Sequence, residues 1–310
     1  MNASDIVTLT VNPSLDKSTK FTGLLPEQKI RCDAPHYDAG GGGINVSKAI
    51  SRLGGQSTCI FTSGGSSGHL LEKLVQREKI ETKTIQLENW TRENFIALET
   101  GTNSQYRFGF PGCPLNSEET NAILDVVRQT KSKFFVASGS LNEGLSSDFY
   151  SQVGEIVKAT GAKFIVDTSG EALKEVLKTG AYLLKPNVGE LAKLVGVTQL
   201  HADEADDAAL TLINSGGAEI VVVSLGAQGA VLVTKDETYY VSAPNVARKS
   251  TVGAGDSMVG GMVWALSQEM PLREVIRWGV ACGSAATMNE GTQLFTKTDA
   301  HRLYNWLQKR

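Results

Sequence analysis

Short apolar runs alternate with amphipathic segments along most of this chain, and that rhythm narrows its possible folds more than any other feature. Residues 6–12, 58–62, 134–138, 164–167, 182–185 and 220–224 are short and rich in Val, Ile, Phe and Leu, the pattern of buried strands. Between them, 122–130, 148–160 and 203–214 carry apolar residues at helical spacing, and the last third reads as helix over 255–267, 272–289 and 298–308. Strand and helix in turn predict an α/β fold, a doubly wound and mostly parallel sheet flanked by helices. No repeat, low-complexity tract or linker divides the 310 residues, so one domain over 1–310 is expected.

Two stretches break the rhythm. Lys29-Ile30-Arg31-Cys32-Asp33-Ala34 and Gln105-Tyr106-Arg107-Phe108-Gly109-Phe110 alternate polar and apolar residues, and the second follows 94–100 through the turn Gly101-Thr102-Asn103-Ser104. They predict a small sheet standing off the main body, built from inserted segments about 18–38 and 92–111. In it Lys29 and Arg31 would share one face, while Tyr106, Phe108 and Phe110 would line one face of the other strand. An ordinary edge hairpin would carry the same alternation.

Hydrophobic residues at 41% and charged residues at 20% are enough for a real core, and the net charge of −3 argues against a nucleic-acid or anionic-membrane partner. An anionic ligand must then be held by local groups. No apolar stretch is long enough to span a bilayer; the densest, 220–233, is interrupted by Ser224, Gly226, Gln228 and Gly229. The N-terminus lacks the basic and apolar regions of a secretory signal. Cys32, Cys59, Cys113 and Cys282 show no paired spacing, and the histidines show no metal-ligand spacing, so free thiols in the cytoplasm are expected.

The strongest local signal is Thr251-Val252-Gly253-Ala254-Gly255-Asp256-Ser257, which follows a loop and opens a helix. Small residues there allow close approach of a ligand, and free N–H groups with the helix dipole attract negative charge. Asp256 would equally serve as a plain helix-capping acid. A second signal, Gly40-Gly41-Gly42-Gly43-Ile44-Asn45, precedes a helix whose Val46, Ala49, Ile50 and Leu53 share one face, closed by Gly54-Gly55. Neither cluster has the Walker A or the G-x-G-x-x-G pattern, which argues against P-loop enzymes and dinucleotide-binding dehydrogenases. Polar loops recur where strands end: Asn12-Pro13-Ser14-Leu15-Asp16, Ser138-Gly139-Ser140, Lys185-Pro186-Asn187-Val188-Gly189-Glu190, and Ser224-Leu225-Gly226-Ala227-Gln228-Gly229. Open α/β sheets bind ligands at such ends.

Taken in order, NPSLD, GGGGINV, SGS, KPN with its Asn187-x-x-Glu190, SLGAQG and TVGAGDS resemble the PfkB carbohydrate-kinase family from residue 6 to residue 308. Within that family the chain is similar to the minor-isozyme type of 6-phosphofructokinase, on GGGGINV, NWTREN, QYRF, VDTSGEAL and STVGAGDSMVG. The resemblance implies a ribokinase-like fold whose outlying strands form a β-lid that also makes a homodimer. It implies a kinase using ATP and Mg²⁺ to phosphorylate a sugar phosphate, with fructose 6-phosphate as the leading substrate. Asp256 would be the catalytic base, and Gly253, Ala254 and Gly255 the anion hole. Asp16, Gly41, Gly42 and Asn45 would lie against the sugar; Arg92 and Ser140 would hold its phosphate, helped by Lys29 and Arg31. Lys185, Asn187, Ser224, Gly226, Gly229 and Ser284 would face the nucleotide, with Asn187 and Glu190 associated with magnesium. A monovalent cation, potassium, would sit among carbonyls around Ser250, Val252, Asn289 and Gly291.

Two positions depart from the wider pattern. Related 1-phosphofructokinases and tagatose-6-phosphate kinases tend to carry lysine where this chain has Gly42, which favours the 6-phosphofructokinase subgroup over those two alternatives. After Ser140 the chain reads Leu-Asn-Glu-Gly rather than Leu-Pro-Pro-Gly, which removes two rigid residues. A kinase of unphosphorylated sugars or nucleosides would leave Lys29, Arg31 and Arg92 without an anion to neutralise. A non-catalytic sugar-phosphate sensor is the alternative from another class, and the intact Asp256 with its glycines argues against it.

Overall fold

The computed structural model describes residues 5–310, and in it thirteen strands form two sheets. In chain order the first strands are β1 (Ile6–Thr10), β2 (Ser14–Phe21), β3 (His36–Gly40), β4 (Thr58–Ser63), β5 (Glu81–Gln86), β6 (Arg92–Glu99) and β7 (Ser104–Gly109). The rest are β8 (Phe134–Ser138), β9 (Lys163–Asp167), β10 (Ala181–Leu184), β11 (Ala218–Ser224), β12 (Ala230–Val233) and β13 (Thr238–Val241). Helices α1 (Gly42–Leu53), α2 (Gly65–Arg77), α3 (Ser117–Gln129), α4 (Phe149–Ala159) and α5 (Gly170–Thr179) alternate with them. They are followed by α6 (Val188–Leu194), α7 (Ala205–Asn214), α8 (Ala254–Ser267), α9 (Leu272–Thr287) and α10 (Lys297–Gln308).

The nine-stranded sheet has the order β13-β12-β11-β10-β9-β8-β1-β4-β5 and is parallel except where β12 and β13 close one edge antiparallel. Alternate residues of each strand feed cores on its two faces. On β8, Phe135 and Ala137 join one cluster with Ile123, Val153 and Val176, while Phe134 and Val136 join the other with Val46, Val259 and Ile276. This two-sided burial explains why the strands read as continuous apolar runs. The chain moves from β1 outward to β4 and β5, then returns to the other side of β1 with β8. The loops after β1 and β8 therefore meet at the point where the strand order reverses, the usual ligand crevice of such sheets. Among the described residues no helix is long and apolar enough to cross a membrane.

The second sheet, with the order β3-β2-β6-β7, is the expected outlying one. Its strands reach further than the sequence suggested, beginning at Ser14 and ending at Gly40 in the first insertion. Parallel pairing of β2 with β6 sets Asp16 opposite Asn94, which puts Asp16 on the lid rather than on the body. The expected strand at 29–34 does not form. Only Cys32 bridges Phe21; otherwise residues 22–35 make an excursion in which Lys29 and Arg31 are exposed. Alternation favours a strand only where a neighbour supplies ladder hydrogen bonds, and here β3 already pairs with β2 from Ser14 to Ser18. Lys29 and Arg31 thus share no strand face. Tyr106 and Phe108 do lie on one face of β7, against Phe21 and Phe95 at centroid distances of 6.1 and 5.9 Å. Phe110 falls beyond the strand's end.

Candidate active site

The site is built around the start of α8. Gly253 is its N-cap, in a left-handed conformation (φ 71°) that glycine adopts at little cost. A β-carbon there would lie 2.6 Å from Leu294 Cδ2. Among the described residues none accepts from the backbone N–H groups of Gly253, Gly255 or Asp256, whereas that of Ala254, expected in the anion hole, donates to Thr251 O at 3.4 Å. Three unmet donors at the positive end of a helix dipole form a ready receptor for an anion. Asp256 sits in this first turn, and its Oδ2 accepts a hydrogen bond of 2.9 Å from Asn45 Nδ2, in the first turn of α1. Burial pushes the Asp256 carboxyl up to about 6, and the nearby Asp167 carboxylate adds to the rise, while Asn45, Lys185 and Lys48 oppose it. Asp167, at the end of β9, pairs with Lys185 at 3.2 Å, and both side chains are largely buried. Burial works against the Lys185 charge, but Asp167 outweighs it and, with Asp256 and Glu190, holds its pKa above the ordinary value. This lysine also approaches Gly255, where a β-carbon would lie 3.4 Å from Nζ.

One side of this turn is the lid and the reversal crevice. Asp16 is buried, and its Oδ1 accepts from Ser14 Oγ at 2.7 Å and Asn94 Nδ2 at 2.8 Å. Burial raises its pKa against those two bonds and the charges of Arg92 and Lys48. Gly41 caps α1, and Gly42 packs against the end of β8 so closely that a β-carbon would lie 2.9 Å from Gly139 N. A longer side chain at 42 would require that loop to move. Arg92 Nη2 donates to Asn12 O at 3.2 Å, and its Nη1 donates to Phe110 O at 3.3 Å. Its Nε is buried without a partner. Asn12 Nδ2 in turn donates to Ser140 Oγ at 3.1 Å, so Arg92 and Ser140 both meet one residue. Lys29 and Arg31 are not brought to this group.

On the other side lies a cavity of about 450 Å³, lined among others by Ser224, Gly226, Gly229, Ala254, Gly255 and Ser284. Of the six residues assigned from the sequence to the nucleotide, Ser224, Gly226, Gly229 and Ser284 share this cavity with the anion receptor, while Lys185 and Asn187 do not line it. Asn187 and Glu190 make a reciprocal capping box on α6: Asn187 Oδ1 accepts from Glu190 N, and Glu190 Oε2 accepts from Asn187 N, each at 2.9 Å. The plain capping role is thus realised, and it holds Glu190 beside the site, close enough to act on Lys185. Ser250 Oγ donates to Gly291 O at 2.9 Å and accepts from Val252 N at 3.2 Å, which brings the segments of the cation assignment together. Asn289 follows the end of α9, and its Nδ2 donates back to Ala285 O at 3.2 Å.

Sequence reasoning passed over Asp167, Asn94, Lys48 and Asn12 as individual site residues. Asp167 ends a strand next to a polar loop, a position that could have marked it. Lys48 reads as an ordinary charge on a helix; its burial, with Nζ donating to Ala39 O, becomes visible only in three dimensions.

Residues 7–299 match the model of the pfkB family of carbohydrate kinases. The chain is 42% identical over 306 residues to ATP-dependent 6-phosphofructokinase isozyme 2 of Escherichia coli, covering 98% of this chain and 99% of that one. It is 31% identical over 295 residues to 1-phosphofructokinase of Bacillus subtilis, covering 94% and 96% of the two chains. The crystal structure of Phosphofructokinase-2 from E. coli in complex with potassium superposes with a TM-score of 0.95 at 42% identity, over 98% of this chain and 99% of that one. A second structure, of the tetrameric inhibited form of Phosphofructokinase-2 from E. coli, gives a TM-score of 0.93 at 41% identity with the same coverage.

Proposed function

The chain belongs to the pfkB family of carbohydrate kinases, and on that premise we propose that it transfers the γ-phosphoryl group of ATP to the 1-hydroxyl of fructose 6-phosphate. It is an ATP-dependent sugar kinase with a ribokinase-like α/β body and a lid sheet. One observation carries the proposal: a single helix turn offers three unmet N–H groups to an anion and places on the same turn a carboxylate held by Asn45.

The chemistry follows from that turn. Phosphoryl transfer needs positioning and charge stabilisation more than covalent help. Asp256 accepts the proton of the sugar's 1-hydroxyl as that oxygen bonds to the γ-phosphorus. The bond from phosphorus to the β,γ-bridging oxygen breaks, and ADP leaves with that electron pair. The free N–H groups of Gly253, Gly255 and Asp256 stabilise the equatorial oxygens. A pKa near 6 leaves Asp256 ionised at neutral pH yet more basic than an exposed carboxylate. Asp16 and Asn45 orient sugar hydroxyls, while Arg92 and Ser140 receive the 6-phosphate.

Among the described residues no three His, Cys, Asp or Glu side chains converge as a ready-made cage. Magnesium enters such sites on the nucleotide and takes only one or two protein carboxylates. Asp167 and Glu190 are the carboxylates that would stand beside it, and when bound it neutralises charge on the β- and γ-phosphates. Potassium would lie among Ser250, Val252, Asn289 and Gly291, since the E. coli enzyme was crystallised with that ion. The exposed Lys29 and Arg31 would serve a partner subunit's phosphate site in a lid-joined dimer. The reaction is a step of glycolysis, a cytoplasmic process. The choice of fructose 6-phosphate over fructose 1-phosphate rests on Gly42 and on the higher identity to the 6-phosphofructokinase. Phosphorus NMR of the product tests it: a second phosphate on carbon 1 is expected, and a product phosphorylated elsewhere, or none, contradicts the proposal.

A further inference from the structure

Asn12 lies between the two groups proposed to receive the substrate phosphate. It follows β1 at the reversal crevice and is 7% exposed. Its side-chain amide nitrogen donates to Ser140 Oγ at 3.1 Å and to Leu141 O at 3.2 Å, and its backbone carbonyl oxygen accepts from Arg92 Nη2 at 3.2 Å. Leu141 O can only accept, so the orientation of the amide is fixed by chemistry: the nitrogen faces the Ser140 loop. Ser140 Oγ is thereby an acceptor towards Asn12, and its own hydrogen is left to donate to a phosphate oxygen. The Asn12 backbone carbonyl takes up one Nη2 hydrogen of Arg92, which limits where the guanidinium can swing. Gly112, on the segment returning from the lid, packs on the same amide; a β-carbon there would lie 2.8 Å from Asn12 Cγ and 2.9 Å from Nδ2.

We infer that Asn12 is a positioning residue for phosphate recognition, fixing the span between Arg92 and Ser140 and the direction of the serine hydroxyl. The inference rests on the sugar-phosphate reading above. Asn12 itself need not touch the phosphate, because its side-chain nitrogen and its backbone carbonyl are already engaged by the groups that would. This chain has particular need of such a tie, since the loop after Ser140 lacks the two prolines that would stiffen it.

The test is steady-state kinetics of the full chain and of Asn12→Ala, Arg92→Ala and the double variant, with fructose 6-phosphate and ATP varied in turn. Asn12→Ala is expected to raise KM for fructose 6-phosphate by about tenfold, in line with loss of charge-assisted contacts, with kcat and KM for ATP within about threefold of the parent. Asn12→Ala removes the bonds to Ser140 and Leu141 and keeps the backbone carbonyl that Arg92 meets; because the serine and Arg92 would grip one phosphate, the rise in the double variant should fall well short of the product of the two single effects. Gly112→Ala keeps Asn12 but drives a methyl group into its amide, and should reproduce the selective rise even if Asn12→Ala folds poorly. An unchanged KM in both Asn12→Ala and Gly112→Ala overturns the inference. So do multiplicative effects with Arg92→Ala, or an equal rise in KM for ATP, which marks a general structural role. If Arg92→Ala alone leaves KM for fructose 6-phosphate unchanged while the parent phosphorylates that sugar, the phosphate receptor itself is misplaced and the inference falls with it.

Discussion

A carboxyl held near pH 6 beside unmet backbone donors responds to small changes in its surroundings, and Asp256 is where residue-scale tests bite first. Asp256→Asn keeps the shape and the bond with Asn45 but cannot accept a proton, so turnover should fall by roughly 10²–10⁴ with substrate affinities little changed. Near-parent turnover in a folded variant would remove Asp256 from the mechanism. Because the base must be ionised, kcat/KM should decline below about pH 6 as Asp256 takes up a proton. Asp167→Asn removes a like charge and frees Lys185 to act on Asp256, and both changes lower the base's pKa. Its acid limb should therefore move to lower pH; a limb that stays fixed would assign the titration to another group. Asp256 and Asn45 were legible in the sequence because each stands in a glycine-rich motif opening a helix. Lys48 was not, because its importance lies in burial and in partners distant along the chain; Asp167 stood at a telling strand end, but its partners Lys185 and Asp256 show only in the fold.

At the scale of elements, α8 matters through its first turn alone. Gly255→Val would set a branched side chain beside Lys185, whose Nζ lies 3.4 Å from the β-carbon position, and crowd the space that the proposed transfer gives to the γ-phosphoryl group. Turnover should fall by roughly 10²-fold, the scale of losing one anion-hole contact, while far-ultraviolet circular dichroism stays that of the parent. Parent-level turnover would show that the phosphoryl group passes elsewhere. The body strands and most helices could be read from apolar runs and helical spacing, since two-sided burial writes itself directly into composition. The lid could be read only in part. Residues 104–109 pair with β6 as their alternation suggests, but 29–34 alternate just as strictly and remain an excursion, because β3 takes Ser14–Ser18 of β2 and only Cys32 and Asp33 reach the short edge beyond it. Periodicity reports which faces a strand would have, and the topology decides whether a partner is present.

For the whole molecule, the lid is the surface that calls for company. Phe108 is 51% and Phe110 54% exposed, Leu24 and Leu25 lie open on the excursion, and β7 is an unpaired edge. Edge strands with apolar exposure are normally covered. Sedimentation at low micromolar concentration should give a dimer or a larger even assembly, as the tetrameric form of the E. coli enzyme would allow. An active monomer would rule out the lid as an obligatory interface. The substrate is tested most directly by kcat/KM, in an assay coupled to ADP formation, over fructose 6-phosphate, tagatose 6-phosphate, fructose 1-phosphate, glucose 6-phosphate, free fructose and a nucleoside. Fructose 6-phosphate is expected to give the highest value, with free fructose lower by at least about a hundredfold for want of the phosphate contacts. A higher value for free fructose or the nucleoside than for every sugar phosphate would contradict the assignment of Arg92 and Ser140 and the function drawn from them.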